Sequence, residues 1–212
     1  MIKDFDLLQR ANNDYTTIDL EHAEELAYRE LIDSIRYIPL GDECGVMGNI
    51  ANIITYKGRF YIQEEQFDRV FIYDDTGRCL KKIDNKGRGP GEYLRIESID
   101  INTEKEELML VDGMSDKLFF YDLDGNFKSI HSIRYFQTEN TLCLRDSVFL
   151  HISAPSQNFG NEGLYGYALV LSKGNENFLK GYRYLPLQVG YIQIQFIKYY
   201  PIQLMDRFSI LK

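Results

Sequence analysis

The feature that most constrains this chain is an internal echo. Phe71-Ile72-Tyr73-Asp74-x-x-Gly77 returns 48 residues later as Phe119-Phe120-Tyr121-Asp122-x-x-Gly125. Each copy is a short run of strand-forming residues that ends in an Asp-x-x-Gly turn. The aspartate offers the turn a side-chain acceptor, and the glycine takes positive φ without strain, so a hairpin closes there. The surroundings repeat as well. Residues 50–56, 60–62, 70–73 and 80–83 read as four strands, with Lys57-Gly58 turning the first into the second. Residues 96–101, 108–111, 118–121 and 127–133 read as four more. A third, worn set fits 141–144, 148–153, 168–171 and 178–182, with its turn at Lys173-Gly174-Asn175.

Four antiparallel strands recurring every 40–50 residues is the pattern of β-propeller blades. One such meander buries only part of its two apolar faces. Stacking blades about an axis covers those faces with the neighbouring blades. A β-sandwich of unrelated hairpins would alternate too, but would leave the 48-residue echo a coincidence. The expectation is therefore an all-β chain with blades at 49–84, 96–133 and 138–184, inside a region spanning 35–190. Before it, residues 1–34 are polar. They include a short helix in which Leu20, Ala23, Leu26, Ala27 and Leu31 share a face behind a cap at Thr17 or Asp19. Residues 35–40 read as a strand that Pro39 confines to an edge or an end. Residues 191–212 form an atypical tail without the Asp and Gly turn chemistry of the repeats.

Charge and residue counts remove several function classes. The net charge of −8 argues against a general nucleic-acid binder, which needs a basic face. No run approaches the ~18 apolar residues of a membrane helix. Cys44, Cys79 and Cys143 form no Cys-x-x-Cys pair, and their odd count gives no full disulfide framework. All three read as small apolar residues. His22, His131 and His151 lack the spacing of a zinc hydrolase, and the last two read as half-buried strand residues. The N-terminus carries two early acids and no apolar run of signal-peptide length. The expectation is a cytoplasmic chain, or one whose true start lies upstream.

Lys86-Gly87-Arg88-Gly89-Pro90-Gly91-Glu92-Tyr93 lies between the first and second repeats. It is no phosphate loop, because no Gly-Lys-Ser/Thr follows and the chain runs into a strand rather than a helix. It reads as the corner between one blade's outer strand and the next blade's inner strand, with Tyr93 packed over it. Together with Ile35-Arg36-Tyr37-Ile38-Pro39-Leu40 and the Phe71–Gly77 motif, this element resembles the six-bladed β-propellers abundant in Bacteroides-type bacteria, relatives of NHL-repeat and TolB-like propellers. The resemblance covers residues 17 to 185, and Gly-Pro-Gly-Glu-Tyr is its most specific part. It implies a cell-envelope setting and a binding role, and brings no agreed catalytic residues or cofactor. Six copies of a 48-residue repeat need about 288 residues. The stretch from Asn49 onward has room for three to four, so the expectation is an incomplete ring and a truncated family member.

Propellers bind ligands at one mouth of the axis, on loops between strands. That points to a glycan or peptide as partner, held by Arg88, Glu92 and Tyr93, with the loop at 136–140 as a neighbour. Lys81, Lys82 and Lys86 read as solvated residues that discourage edge pairing. Gly77, Gly87, Gly89, Pro90, Gly91 and Gly125 read as structural turns. Exposed blade edges would promote self-association. The alternative is a propeller hydrolase or lyase with a central metal, for which Glu92, Asp100, Asp112, Asp116, His131 and His151 are the candidates. No dedicated calcium-loop spacing supports it, and Asp122-Leu123-Asp124-Gly125 is better explained as a hairpin turn.

Overall fold

The computed structural model describes residues 34–133, 138, 140–152, 167–174 and 177–183. Within them lie twelve strands and one short 3-10 turn at Arg145–Ser147. The strands form three four-stranded antiparallel meanders. Blade 1 is β1 (Ile50–Tyr56), β2 (Arg59–Glu64), β3 (Arg69–Asp74) and β4 (Cys79–Ile83). Blade 2 is β5 (Ser98–Asn102), β6 (Glu107–Asp112), β7 (Lys117–Asp122) and β8 (Phe127–Ser132). Blade 3 is β9 (Asn140–Cys143), β10 (Val148–Ile152), β11 (Tyr167–Lys173) and β12 (Asn177–Arg183). The first strand of blade 2, β5, touches the first strands of both neighbours, β1 and β9. First strands side by side, with later strands fanning outward, are the geometry of propeller blades around an axis.

Strand alternation decides which residues meet. In blade 2, Leu108, Leu110, Phe119 and Tyr121 face blade 1, where they pack with Tyr61, Val70, Ile72 and Ile83. One residue out of phase, Met109, Val111, Leu118 and Phe120 face blade 3 and pack with Phe149 and Val170. The period of two thus feeds both seams from the same two strands, β6 and β7. The echo seen in the sequence extends to atomic detail. Asp74 Oδ1 accepts the Thr76 and Arg78 N–H groups, and Asp122 Oδ1 accepts those of Asp124 and Asn126. Gly77 and Gly125 close these turns at φ 89° and 80°. The irregularity in outer-strand pairing falls between Ile72 and Tyr73 in blade 1 and between Phe120 and Tyr121 in blade 2, again 48 apart.

Two expectations are corrected here. Residues 35–40 form no strand. They begin an extended strap that runs along the face of blade 1 turned away from blade 2. The alternating apolar residues suggested a strand, but no neighbouring strand among the described residues supplies the backbone partners one requires. On the strap, Ile38, Gly41, Cys44 and Met47 are half-buried and most of the intervening residues are exposed. Cys44 and Cys79 are also not independent apolar residues. They form a disulfide across 35 positions, with Cα atoms 5.9 Å apart, that ties the strap to β4. Cys143 remains a free thiol in β9. The helix expected within 17–31 and the tail at 191–212 lie outside the described residues.

Candidate functional site

The crossover between β4 and β5 is where the sequence placed a ligand face. Three backbone bonds fold it into a tight loop: Gly87 N–H to Tyr93 O, Tyr93 N–H to Asn85 O, and Glu92 N–H to Gly89 O. Glu92 turns back into this loop, and its carboxylate accepts the Gly89 N–H at 2.7 Å. A Cβ on Gly87 would stand 1.9 Å from that carboxylate, so glycine is what allows it to sit there. Gly91 turns the chain at φ 83°, beside Pro90. Glu92 therefore folds the corner.

Tyr93 departs from the expected exposed ligand contact. It is 0% exposed and packs edge-on against Phe119 in the seam between blades 1 and 2. Its hydroxyl donates to the Asp68 carbonyl at 2.8 Å and accepts the Asn85 N–H at 3.1 Å. Burial, the largest influence, drives its pKa well above the usual phenol range. Tyr93 is thus a pin between the blades, as its aromatic bulk and polar tip suit. Asp68 completes the clasp. One carboxylate oxygen accepts the Ile96 N–H at 3.1 Å, and the other pairs with Lys86. Lys86 is therefore engaged at the seam rather than simply solvated. Sequence reasoning missed Asp68. Its signal was its place just before β3, mirrored 48 residues on by Asp116, and both residues have positive φ.

Of the three ligand-face candidates, Arg88 alone is both exposed and free of partners among the described residues. It projects from the crossover at the end of the blades that also carries the β2–β3 and β6–β7 turns. Of the companion loop, residues 136, 137 and 139 lie outside the described residues.

The metal-site candidates are spread over different places. Asp112 caps the β6–β7 turn by accepting the Met114 and Ser115 N–H groups and the Ser115 hydroxyl, and it also takes the Leu94 N–H at 2.7 Å. Asp116 lies in the same turn, and its Oδ1 is buried without a hydrogen-bond partner. Burial first, and then the Asp112 charge, raises its pKa. Asp100 sits on β5 and accepts the Cys143 N–H at 2.6 Å, linking the first strands of blades 2 and 3. The Asp100 residue keeps some exposure, but its carboxyl group is enclosed, and that desolvation pushes its pKa up to about 6. His131 lies half-buried on β8 against the Phe120 ring. His151 is buried inside blade 3, with Nδ1 at 3.0 Å from the Thr141 hydroxyl and Nε2 at 2.8 Å from Ser172 Oγ. Burial holds its pKa down at about 4, so the ring is neutral. Among the described residues, no three His, Cys, Asp or Glu side chains gather as a metal would need.

The other polar cleft lies at the opposite end of the same seam. Lys57 pairs with Glu106, and Arg59 with Asp124, each joining blade 1 to blade 2. Arg59 and Tyr61 also donate to the Leu123 carbonyl. The charges in this cleft answer one another across the seam.

A family model for a domain of unknown function, DUF4934, matches residues 15–200. The chain belongs to the DUF4934 family. No functionally curated protein matches it. Among solved structures, this DUF4934 chain is similar to a protein of Bacteroides fragilis NCTC 9343 inferred to be exported, with 19% identity and a TM-score of 0.64. The match covers 74% of this chain and 44% of that one, so the DUF4934 chain spans less than half of that structure. Weaker likenesses are to a DUF4221 family member from Bacteroides vulgatus ATCC 8482 and to YCF48 bound to D1 peptide. The first has 9% identity and a TM-score of 0.41, covering 65% of this chain and 42% of that one. The second has 14% identity and a TM-score of 0.42, covering 71% and 44%.

Proposed function

We propose that this DUF4934 chain is a non-enzymatic binding or scaffold module that works outside the cytoplasm, as an arc of a six-bladed propeller of the NHL and TolB type. Its ligand is a glycan or a peptide held at the crossover end of the blades. One observation carries the reading: Lys86 is engaged at the seam and Glu92 in its own loop, while Arg88 is left facing solvent. A guanidinium on a braced loop offers a planar set of donors to sugar hydroxyls, carboxylates or peptide carbonyls. The Cys44–Cys79 bond supports an oxidising compartment, where such bonds persist. The likeness to an exported Bacteroides fragilis protein supports the same setting.

Glycan and peptide arrays probed with the purified protein test this. The expected result is a ligand whose affinity falls about tenfold in Arg88→Ala, the loss of one charge-assisted hydrogen bond. No binding on either array, or binding that ignores the substitution, contradicts it. The same reading expects self-association through the half-buried leucines of blade 3 that face away from blade 2, Leu142, Leu150, Leu169 and Leu171. Light scattering across a concentration series should show the mass rising. A constant monomer mass would refute that part.

A further inference from the structure

We infer that the Cys44–Cys79 pair is a redox latch on a detachable cover. The strap from Arg36 to Met47 stands in for a neighbouring blade on the free face of blade 1, and its hold depends on this bond.

Two equivalent glycines show what the strap replaces. Gly125, in the β7–β8 turn, lies against the side chains of Ile72, Lys81 and Ile83 in blade 1. Gly77, its counterpart 48 residues earlier, lies against Ile38 and the Pro39 carbonyl of the strap. The strap thus occupies, relative to blade 1, the place that the outer part of blade 1 occupies relative to blade 2. The apolar residues agree. Phe119 and Tyr121 are covered by blade 1, whereas Phe71 and Tyr73, their counterparts, cluster with Ile62 and Cys79 and with Cys44 and Met47 of the strap.

Among the described residues, four hydrogen bonds hold the strap in place: Gly41 N–H to Gly77 O, Arg36 to Asp75 O, Tyr73 hydroxyl to Gly41 O, and Cys79 N–H to the Glu43 carboxylate. Two of the four are longer than 3.2 Å. Only one strap residue in three is even half-buried, and Tyr37 and Val46 are 88% and 85% exposed. A segment so lightly attached belongs to the low-stability end of a fold. Apart from the main chain, which runs from Met47 through Gly48 and Asn49 into β1, the disulfide is its one covalent tie to the blade. A dithiol reductant breaks the S–S bond by exchange. Cys44 and Cys79 each gain a proton and an electron, the reductant becomes a cyclic disulfide, and the strap is freed. This does not depend on what Arg88 binds.

Thiol titration and hydrogen exchange on the whole protein test the latch. Denatured without reductant, the chain should show one reactive thiol, Cys143; with dithiothreitol it should show three. In the folded protein, reduction should speed amide exchange over residues 41–47 at least tenfold and leave Lys117–Asp122 unchanged. Cys44→Ser should reproduce this without reductant, and Cys143→Ser should not. Three thiols before reduction, or strap protection that survives reduction, overturns the inference. Loss of protection throughout the protein on reduction also overturns it, because the bond would then hold the whole fold rather than a cover.

Discussion

Blades 1 and 2 are nearly the same sheet in different company. Phe119 and Tyr121 on blade 2 are buried by another blade, while Phe71 and Tyr73 on blade 1 are buried by an irregular strap and a disulfide. All four are essentially inaccessible. The repeat therefore specifies an apolar face that must be covered, and leaves open what covers it. A blade brings its own hydrogen-bonded strands and many side-chain contacts. A strap brings few, and needs a covalent tie to persist.

Substitutions at paired positions sharpen this comparison. The largest effect belongs to the two phenylalanines. Phe119→Ala opens a cavity between two rigid sheets and removes the ring against which Tyr93 packs, and should cost about 4 kcal/mol. Phe71→Ala should cost nearer 3 kcal/mol, because the strap can settle into the space that a blade cannot fill. Urea midpoints with unchanged slopes would measure both. Equal costs would mean the strap is as stiff as a blade.

Next come the turn glycines. Either Gly→Ala change forces an L side chain to positive φ, at roughly 1–2 kcal/mol. At Gly125 the new methyl meets Ile72 Cδ1 and Lys81 Cγ at 2.9 Å, side-chain atoms rather than backbone, which can give way. At Gly77 it meets the Pro39 carbonyl oxygen at 2.0 Å, and only the strap can move. Limited trypsin digestion at Arg36 should therefore accelerate in Gly77→Ala and stay unchanged in Gly125→Ala. The reverse order would place the weak point in the blade.

The smallest effect concerns Asp100, whose counterpart 48 residues earlier is Asn52. Its pKa in the fold, about 6, lies above the ordinary carboxylate value of 3.8, so the folded state holds a proton that the unfolded chain has released. Stability from this group should fall as the pH rises from about 4 to about 6, and its cost is complete above that. Asp100→Asn, which copies blade 1, should gain about 1–2 kcal/mol at pH 7.5 and flatten this part of the pH profile. A loss of stability at pH 7.5 would show that the charged carboxylate is well accommodated beside the Cys143 N–H.

What the sequence made legible follows from how each element is held. The blades were readable because each strand's alternation and each Asp-x-x-Gly turn is local, and the 48-residue echo restates it. Ile35–Leu40 misled because alternation is only half of a strand, and no strand among the described residues pairs with it. The Cys44–Cys79 bond was hidden because Cys44 belongs to no repeat and lies 35 positions from its partner. At the crossover, the glycines, Pro90 and Glu92 showed a corner, but exposure could not be read from residue type. Tyr93, read both as a packing residue and as a ligand contact, is wholly buried; Glu92 is exposed but bonded into its own loop, and Arg88 is exposed without a partner among the described residues. The Asp68 clasp joins loops from two blades, a proximity that no local pattern encodes.

The most direct measurement is a methyl nuclear Overhauser spectrum of protein labelled at isoleucine δ1. If successive meanders stand side by side about an axis, the Ile72 δ1 methyl gives a strong cross-peak to the Gly125 α-protons and others to the Phe119 and Tyr121 rings. Absence of those peaks, with the Ile72 methyl instead meeting leucines of β10 and β11 in a facing layer, would contradict the blade arrangement.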